Sequence, residues 1–208
     1  MAETMTPSVV SKTTAGQIDK AVANYRALLD KHSREFDSET VQLVLGQSEL
    51  ADDMFAVFRK RVEAISNLIV RCIGVNRNRM PQGAIGATGR MQYTDGTVVN
   101  AMPRGEGEEA EVVFFKLGHY VSDNDLDKEY ALRGLVPIDP YSLSAVNEAD
   151  PAFADEHPNS THWKDSGGRW CYVAFDRWDV GGRSVSVRRS GSDWRGSWWF
   201  AGLRKYQK

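Results

Sequence analysis

Arg169–Lys208 reads RWCYVAFDRWDVGGRSVSVRRSGSDWRGSWWFAGLRKYQK, and its pattern sets the expectation for the whole domain. All six tryptophans of the chain lie between Trp163 and Trp199. Among them, Ser184-Val185-Ser186-Val187-Arg188 alternates small or charged residues with β-branched ones. A period of two places alternate side chains on opposite faces of a strand. The polar set continues as Ser190, Ser192, Arg195 and Ser197. Rigid aromatics bury large areas, while Ser and Arg adapt their hydrogen bonding to what they meet, and binding surfaces combine the two. An edge hairpin with one solvated face would produce the same alternation. The pattern therefore predicts Val185, Val187, Trp198 and Phe200 inside, and Ser186, Arg188, Ser190 and Ser192 outside on one surface.

These last forty residues resemble the variable proteins of diversity-generating retroelements. In that family a reverse transcriptase copies a template with errors at adenines and rewrites the end of the target gene. The target usually ends in a C-type-lectin-like domain whose last strand carries a Gly-Phe-Arg-like sequence; Gly202-Leu203-Arg204 stands in that place here. Adenine replacement in an asparagine codon yields Ser, Arg, Gly, Asp and Tyr, a set that includes Ser186, Arg188, Ser190, Ser192, Arg195 and Ser197. Val185, Val187, Asp193, Trp194, Trp198 and Trp199 read as the unvaried frame. The resemblance implies a ligand-binding display protein, prokaryotic or viral, without catalysis, cofactor or metal. Its ligand, a protein in this reading, would meet Arg177, Ser184, Ser186, Arg188, Ser190, Ser192, Arg195 and Ser197, with Trp178 and Trp194 as aromatic anchors.

Charge supports a rival from another class. The net charge is −2, yet from Arg169 onward nine Lys/Arg stand against three Asp, which leaves −8 on the first 168 residues. Arginine interleaved with tryptophan suits phosphates and stacked bases, so a nucleic-acid-binding module is the alternative.

Upstream, residues 1–15 read as a flexible tail, 16–79 as a helical subdomain, and 80–208 as the C-type-lectin-like domain with a variable region at about 176–200. Ile18, Val22, Tyr25 and Leu29 recur at helical spacing. Asp37 or Ser38 caps a second helix that Gly46 ends. A third helix is predicted from Ser48, with a stripe of Met54, Phe58, Val62, Ile65, Ile69 and Cys72. Such stripes serve a core or an oligomer interface. Asp95-Gly96, between Met91/Tyr93 and Val98/Val99, predicts a hairpin turn. Val112–Phe115 reads as a central strand, Ser122 as the cap of a helix closed by Gly134, and Pro140 as the start of another. Gly167-Gly168 marks a second hairpin. Helices first and then mixed short strands make an α+β chain.

Motifs for chemistry are missing. Cys72 and Cys171 form no CxxC pair, and Cys72 is expected buried on the third helix. His32, His119, His157 and His162 show no HExxH or HxH spacing, and no GxSxG occurs. Gly181-Gly182-Arg183-Ser184 lacks the phosphate-loop pattern. The lectin-like fold also resembles the formylglycine-generating oxidases, which need two cysteines where only Cys171 stands. The Met1–Gly16 stretch lacks a secretory-signal pattern, and no apolar run spans a bilayer. The expected location is therefore cytoplasmic, unless the chain is exported by another route or carried on a virion.

Overall fold

A computed structural model describes residues 13–66, 68–178, 182–191 and 193–205. The chain divides into two compact units, Ser8–Ser66 and a second spanning Asn67–Lys208.

The first unit is helical. Thr14 caps α1 (Ala15–His32) through a reciprocal capping box with Gln17. The Asp37 carboxylate accepts from the Thr40 amide at 2.9 Å to start α2 (Ser38–Leu45), and Gly46 is its C-cap. α3 runs from Glu49 to Ser66. No described side chain in these three helices is buried.

The stripe predicted to reach Cys72 stops at Ser66, because Leu68–Gly74 is strand β1. Ile69 coincides with the helical spacing, but the β-branched run Ile69-Val70 favours an extended backbone once a partner strand is present. β3 (Glu109–Lys116) supplies that partner, antiparallel from Leu68↔Phe115 to Gly74↔Glu109. Cys72 consequently lies on the exposed face of an edge strand, and its expected burial is corrected.

The second unit is α+β. Its remaining strands are β2 (Met91–Thr94), β4 (Leu135–Pro137), β5 (Asn159–Lys164), β6 (Trp170–Arg177), β7 (Arg183–Arg189) and β8 (Trp199–Arg204). They form one mixed sheet in the order β1-β3-β8-β5-β6-β7-β2, with β4 paired to β8. The pairs β2/β7 and β5/β8 are parallel. Asp95-Gly96 makes no hairpin. Asp95 instead accepts from the Thr97 amide and caps α5 (Gly96–Asn100), which buries Val98 and Val99. A hairpin would have left those two valines on a sheet edge. Gly167-Gly168 does turn β5 into β6, with Gly168 at φ 76°.

Each face of the sheet has its own core. Ile69, Val112, Phe114, Val173, Phe175, Val185, Val187 and Ala201 pack with α4 (Pro81–Gly86), α5, α7 (Pro140–Ala149) and α8 (Phe153–Glu156). On the opposite face, Val113, Phe115 and Phe200 pack under Leu126 and Tyr130 of α6 (Asp123–Leu132) and under Trp194. The final strand is hemmed in closely. The Tyr130 hydroxyl donates to the Ala201 carbonyl at 2.9 Å, and a Cβ on Gly202 would meet the Tyr130 ring and the Val136 carbonyl oxygen at 3.0 Å.

Candidate functional site

β7 carries out its predicted alternation in part. Val185 and Val187 are fully buried on the α7 face, and Arg188 is exposed on the other. Ser186 and Ser190 are half-buried because they sit in a groove rather than on open surface. That groove measures about 300 Å³ and opens to solvent. Tyr172, Ala174 and Asp176 of β6 and Ser186 of β7 form its floor, and Ser190, Asp193, Trp194, Arg195 and Trp198 form its wall. Phe200 is buried as expected, whereas Trp198 is only half-buried and lines the groove.

The structure thus brings together Ser186, Ser190, Trp194 and Arg195 from the predicted set and separates several others. Ser184 is buried, which corrects its expected exposure. Its hydroxyl donates to Asp176 and accepts from the Trp178 indole at 2.8 Å. Trp178 stacks on Tyr93 of the neighbouring β2 at 5.8 Å and so covers this end of the strand. Trp178 remains exposed but does not line the groove. Arg177 is also misplaced by the sequence reading. It pairs in register with Arg183, two residues beyond the core residues Phe175 and Val185, and so belongs to the opposite face. Both arginines approach Asp155 there, at 3.6 and 2.8 Å. Ser197 is exposed outside the groove, and Ser192 lies outside the described residues. Arg188 reaches over Tyr93, donating to its carbonyl at 3.2 Å with the guanidinium 5.9 Å from the ring.

Trp194 is a structural support more than an anchor for a ligand, with 7% exposure. Its ring meets Tyr172, Trp198 and Phe200 edge-on at 5.3, 5.8 and 5.5 Å. Its backbone exchanges hydrogen bonds of 3.0 and 2.8 Å with Val121. Its indole donates to Asp123 Oδ1 at 2.9 Å.

Asp123 is the hub that sequence reasoning missed. His162, whose side chain is fully buried, stacks on Trp170 at 4.4 Å and faces Tyr130 on its other side at 5.7 Å. Its Nδ1 lies 3.1 Å from Asp123 and its Nε2 lies 3.1 Å from Asp127. The Ser190 hydroxyl also hydrogen-bonds Asp123. Burial pulls the Asp123 carboxyl upward, but the bonds from His162, Ser190 and Trp194 outweigh that and hold it below the ordinary carboxylate value. One sequence signal did exist: Asp123 and Asp127 lie four apart and so share a face of α6. Nothing in the sequence aims that face at His162. Tyr172, Ala174 and Asp176 were legible only as alternate residues of a strand.

The basic C-terminal segment is largely neutralised by acids from earlier in the unit. Arg169 pairs with Asp165 at 3.0 Å, Arg189 with Asp95 at 2.9 Å and Asp165 at 3.4 Å, and Arg204 with Glu111 at 2.9 Å. Among the described residues, no group of three His, Cys, Asp or Glu could hold a metal ion. Among the same residues, no helix is long and apolar enough to cross a membrane.

No family model matches the chain, and no curated protein or solved structure is detectably similar to it.

Proposed function

We propose that the chain is a non-catalytic recognition protein that holds a protein ligand at the groove between β6, β7 and the 190–198 segment. In the same reading, the second unit is a C-type-lectin-like domain whose C-terminal surface a retroelement diversifies. One observation carries the proposal: within a single short strand, Val185 and Val187 are locked into the core while Ser186 opens into the groove. Arg195 lines the same groove, whose wall is held by the Trp194 contacts and the Ser190–Asp123 bond. Side chains at these positions can therefore change while the frame stays in place. Gly202-Leu203-Arg204 supports the reading too, since a Cβ at its first position would press on the Tyr130 ring and the Val136 carbonyl oxygen at 3.0 Å.

The neighbouring DNA tests the diversification. A near-repeat of the final coding segment, differing at adenines and lying beside a reverse transcriptase gene, is the expected finding. Its absence, with codons 186, 188, 190, 195 and 197 constant across related cells, would overturn that part of the reading. Thermal melting tests the frame. Replacing Ser186, Arg195 and Ser197 together by Tyr, Asp or Asn should cost within about 0.5 kcal/mol per site. Ser190 should cost roughly 1 kcal/mol more, because its bond to Asp123 is lost.

The paired arginines argue against the nucleic-acid alternative, since a phosphate would have to displace existing carboxylates. Titration with fluorescent single-stranded DNA and RNA at two salt concentrations should show weak or no binding. Tight binding with a steep salt slope that weakens evenly as Arg177, Arg183, Arg188 and Arg189 are neutralised in turn would favour that alternative instead.

A further inference from the structure

The helical unit holds a feature that the groove does not use. α1 and α3 carry the same pattern thirty-three residues apart. Ile18, Val22, Tyr25 and Leu29 in α1 correspond to Ala51, Phe55, Phe58 and Val62 in α3. Both sets are spaced four, three and four, the heptad seam of a coiled coil. In each helix an Asp follows the first seam residue (Asp19, Asp52) and an Arg follows the third (Arg26, Arg59). These seams are open. Val22 is 63% exposed, Leu29 45%, Phe55 54% and Phe58 51%. Helices of eighteen residues are marginal in water unless an apolar face is covered, and among the described residues of these three helices no buried side chain supplies a core.

We propose that α1 and α3 are a self-association surface, pairing antiparallel with the same helices of a second copy of this chain. The charges select both the occupant and the direction. In an antiparallel pair the seam layers join Ile18 to Leu29 and Val22 to Tyr25 of the second copy. Asp19 then falls in the same interlayer space as Arg26 of that copy, and the dyad repeats the pair. The same arithmetic sets Asp52 against Arg59 in α3. A parallel pair would instead set Ala21 beside Arg26, and Arg61 beside Ser66, with no opposite charges meeting. Because the Asp/Arg pattern is identical in the two helices, α1 also complements α3 of the second copy. This inference does not depend on what the groove binds.

Sedimentation equilibrium of the full chain over a dilution series tests it, with circular dichroism to monitor helix content. The wild-type chain should show a concentration-dependent dimer or an even-numbered assembly, and Phe55→Ser with Phe58→Ser should make it monomeric. Because those two changes also threaten the helices themselves, charge reversal at exposed positions is the deciding arm. Asp19→Arg with Asp52→Arg should weaken association by about tenfold or more, since like charges then face each other. Adding Arg26→Asp and Arg59→Asp should restore it. A wild-type chain that stays monomeric with its helices formed would overturn the proposal. So would association indifferent to charge reversal, or reversal that the compensating pair fails to rescue.

Discussion

Asp123→Ala is expected to destabilise the protein by roughly 3–5 kcal/mol, since each buried group left without its hydrogen-bond partner costs about 1–3 kcal/mol. The change strands three groups at once: His162 Nδ1, the Trp194 indole and the Ser190 hydroxyl. At roughly 2–4 °C per kcal/mol for a chain of this size, melting should fall on the order of 10 °C. Asp127→Ala is the control. Its carboxylate holds the other His162 nitrogen but is about half exposed, so water can replace it at about 0–1 kcal/mol. The pH dependence follows from the depressed Asp123 carboxyl. In the unfolded chain this group takes up its proton near pH 3.9, while in the folded chain it does so only at a lower pH. Its contribution is therefore complete above about pH 4 and is lost as the pH falls through the folded value. Between those values the stability of the wild type should fall with acid more steeply than that of Asp123→Ala. A loss under 1 kcal/mol, with parallel acid slopes, would remove Asp123 from its role as hub of the groove wall.

Gly196→Ala is expected to cost about 3 kcal/mol or more and to collapse the groove. A Cβ at Gly196 would fall inside the Gly118–His119 backbone, with the His119 Cα only 2.8 Å away. The two segments are tied there by the Gly118 amide donating to the Gly196 carbonyl at 3.2 Å. Backbone cannot rotate aside as a side chain can, so the clash must shift one whole segment. The segment that shifts carries Arg195 and leads into Trp198, both of which line the groove. Gly191→Ala is the comparison within the same loop. A Cβ there meets nothing within 4 Å, and the change should stay within about 0.5 kcal/mol. Chemical denaturation gives the stabilities, and near-ultraviolet dichroism of the tryptophans reports the wall. Equal, small effects at both glycines would mean the two backbones are not locked together.

Local information went far where the signal is local. Capping residues placed the starts of α2 and α6, and a first-turn proline, Pro140, placed that of α7, because a side chain bonding an amide two or three residues ahead, or a ring that fixes φ, needs nothing from the rest of the fold. The period of two in β7 separated Val185 and Val187 from Ser186 and Arg188, because strand geometry alone turns neighbours to opposite faces. The sequence also marked the C-terminal aromatics as a frame. What failed depended on partners distant in the chain. Leu68–Gly74 became a strand because β3 lies beside it, and Asp95-Gly96 started a helix because β2 pairs with β7 and not with its own continuation. Ser184 was lost to the interior when Trp178 folded over it onto Tyr93. The apparent basic tail was cancelled by Asp95, Asp155, Asp165 and Glu111, since charge along a chain says nothing about which carboxylate ends within 4 Å. The hub of Asp123, His162 and Trp194 joins residues between 32 and 71 positions apart in the chain, and only the sheet with α6 laid across it brings them within hydrogen-bond reach.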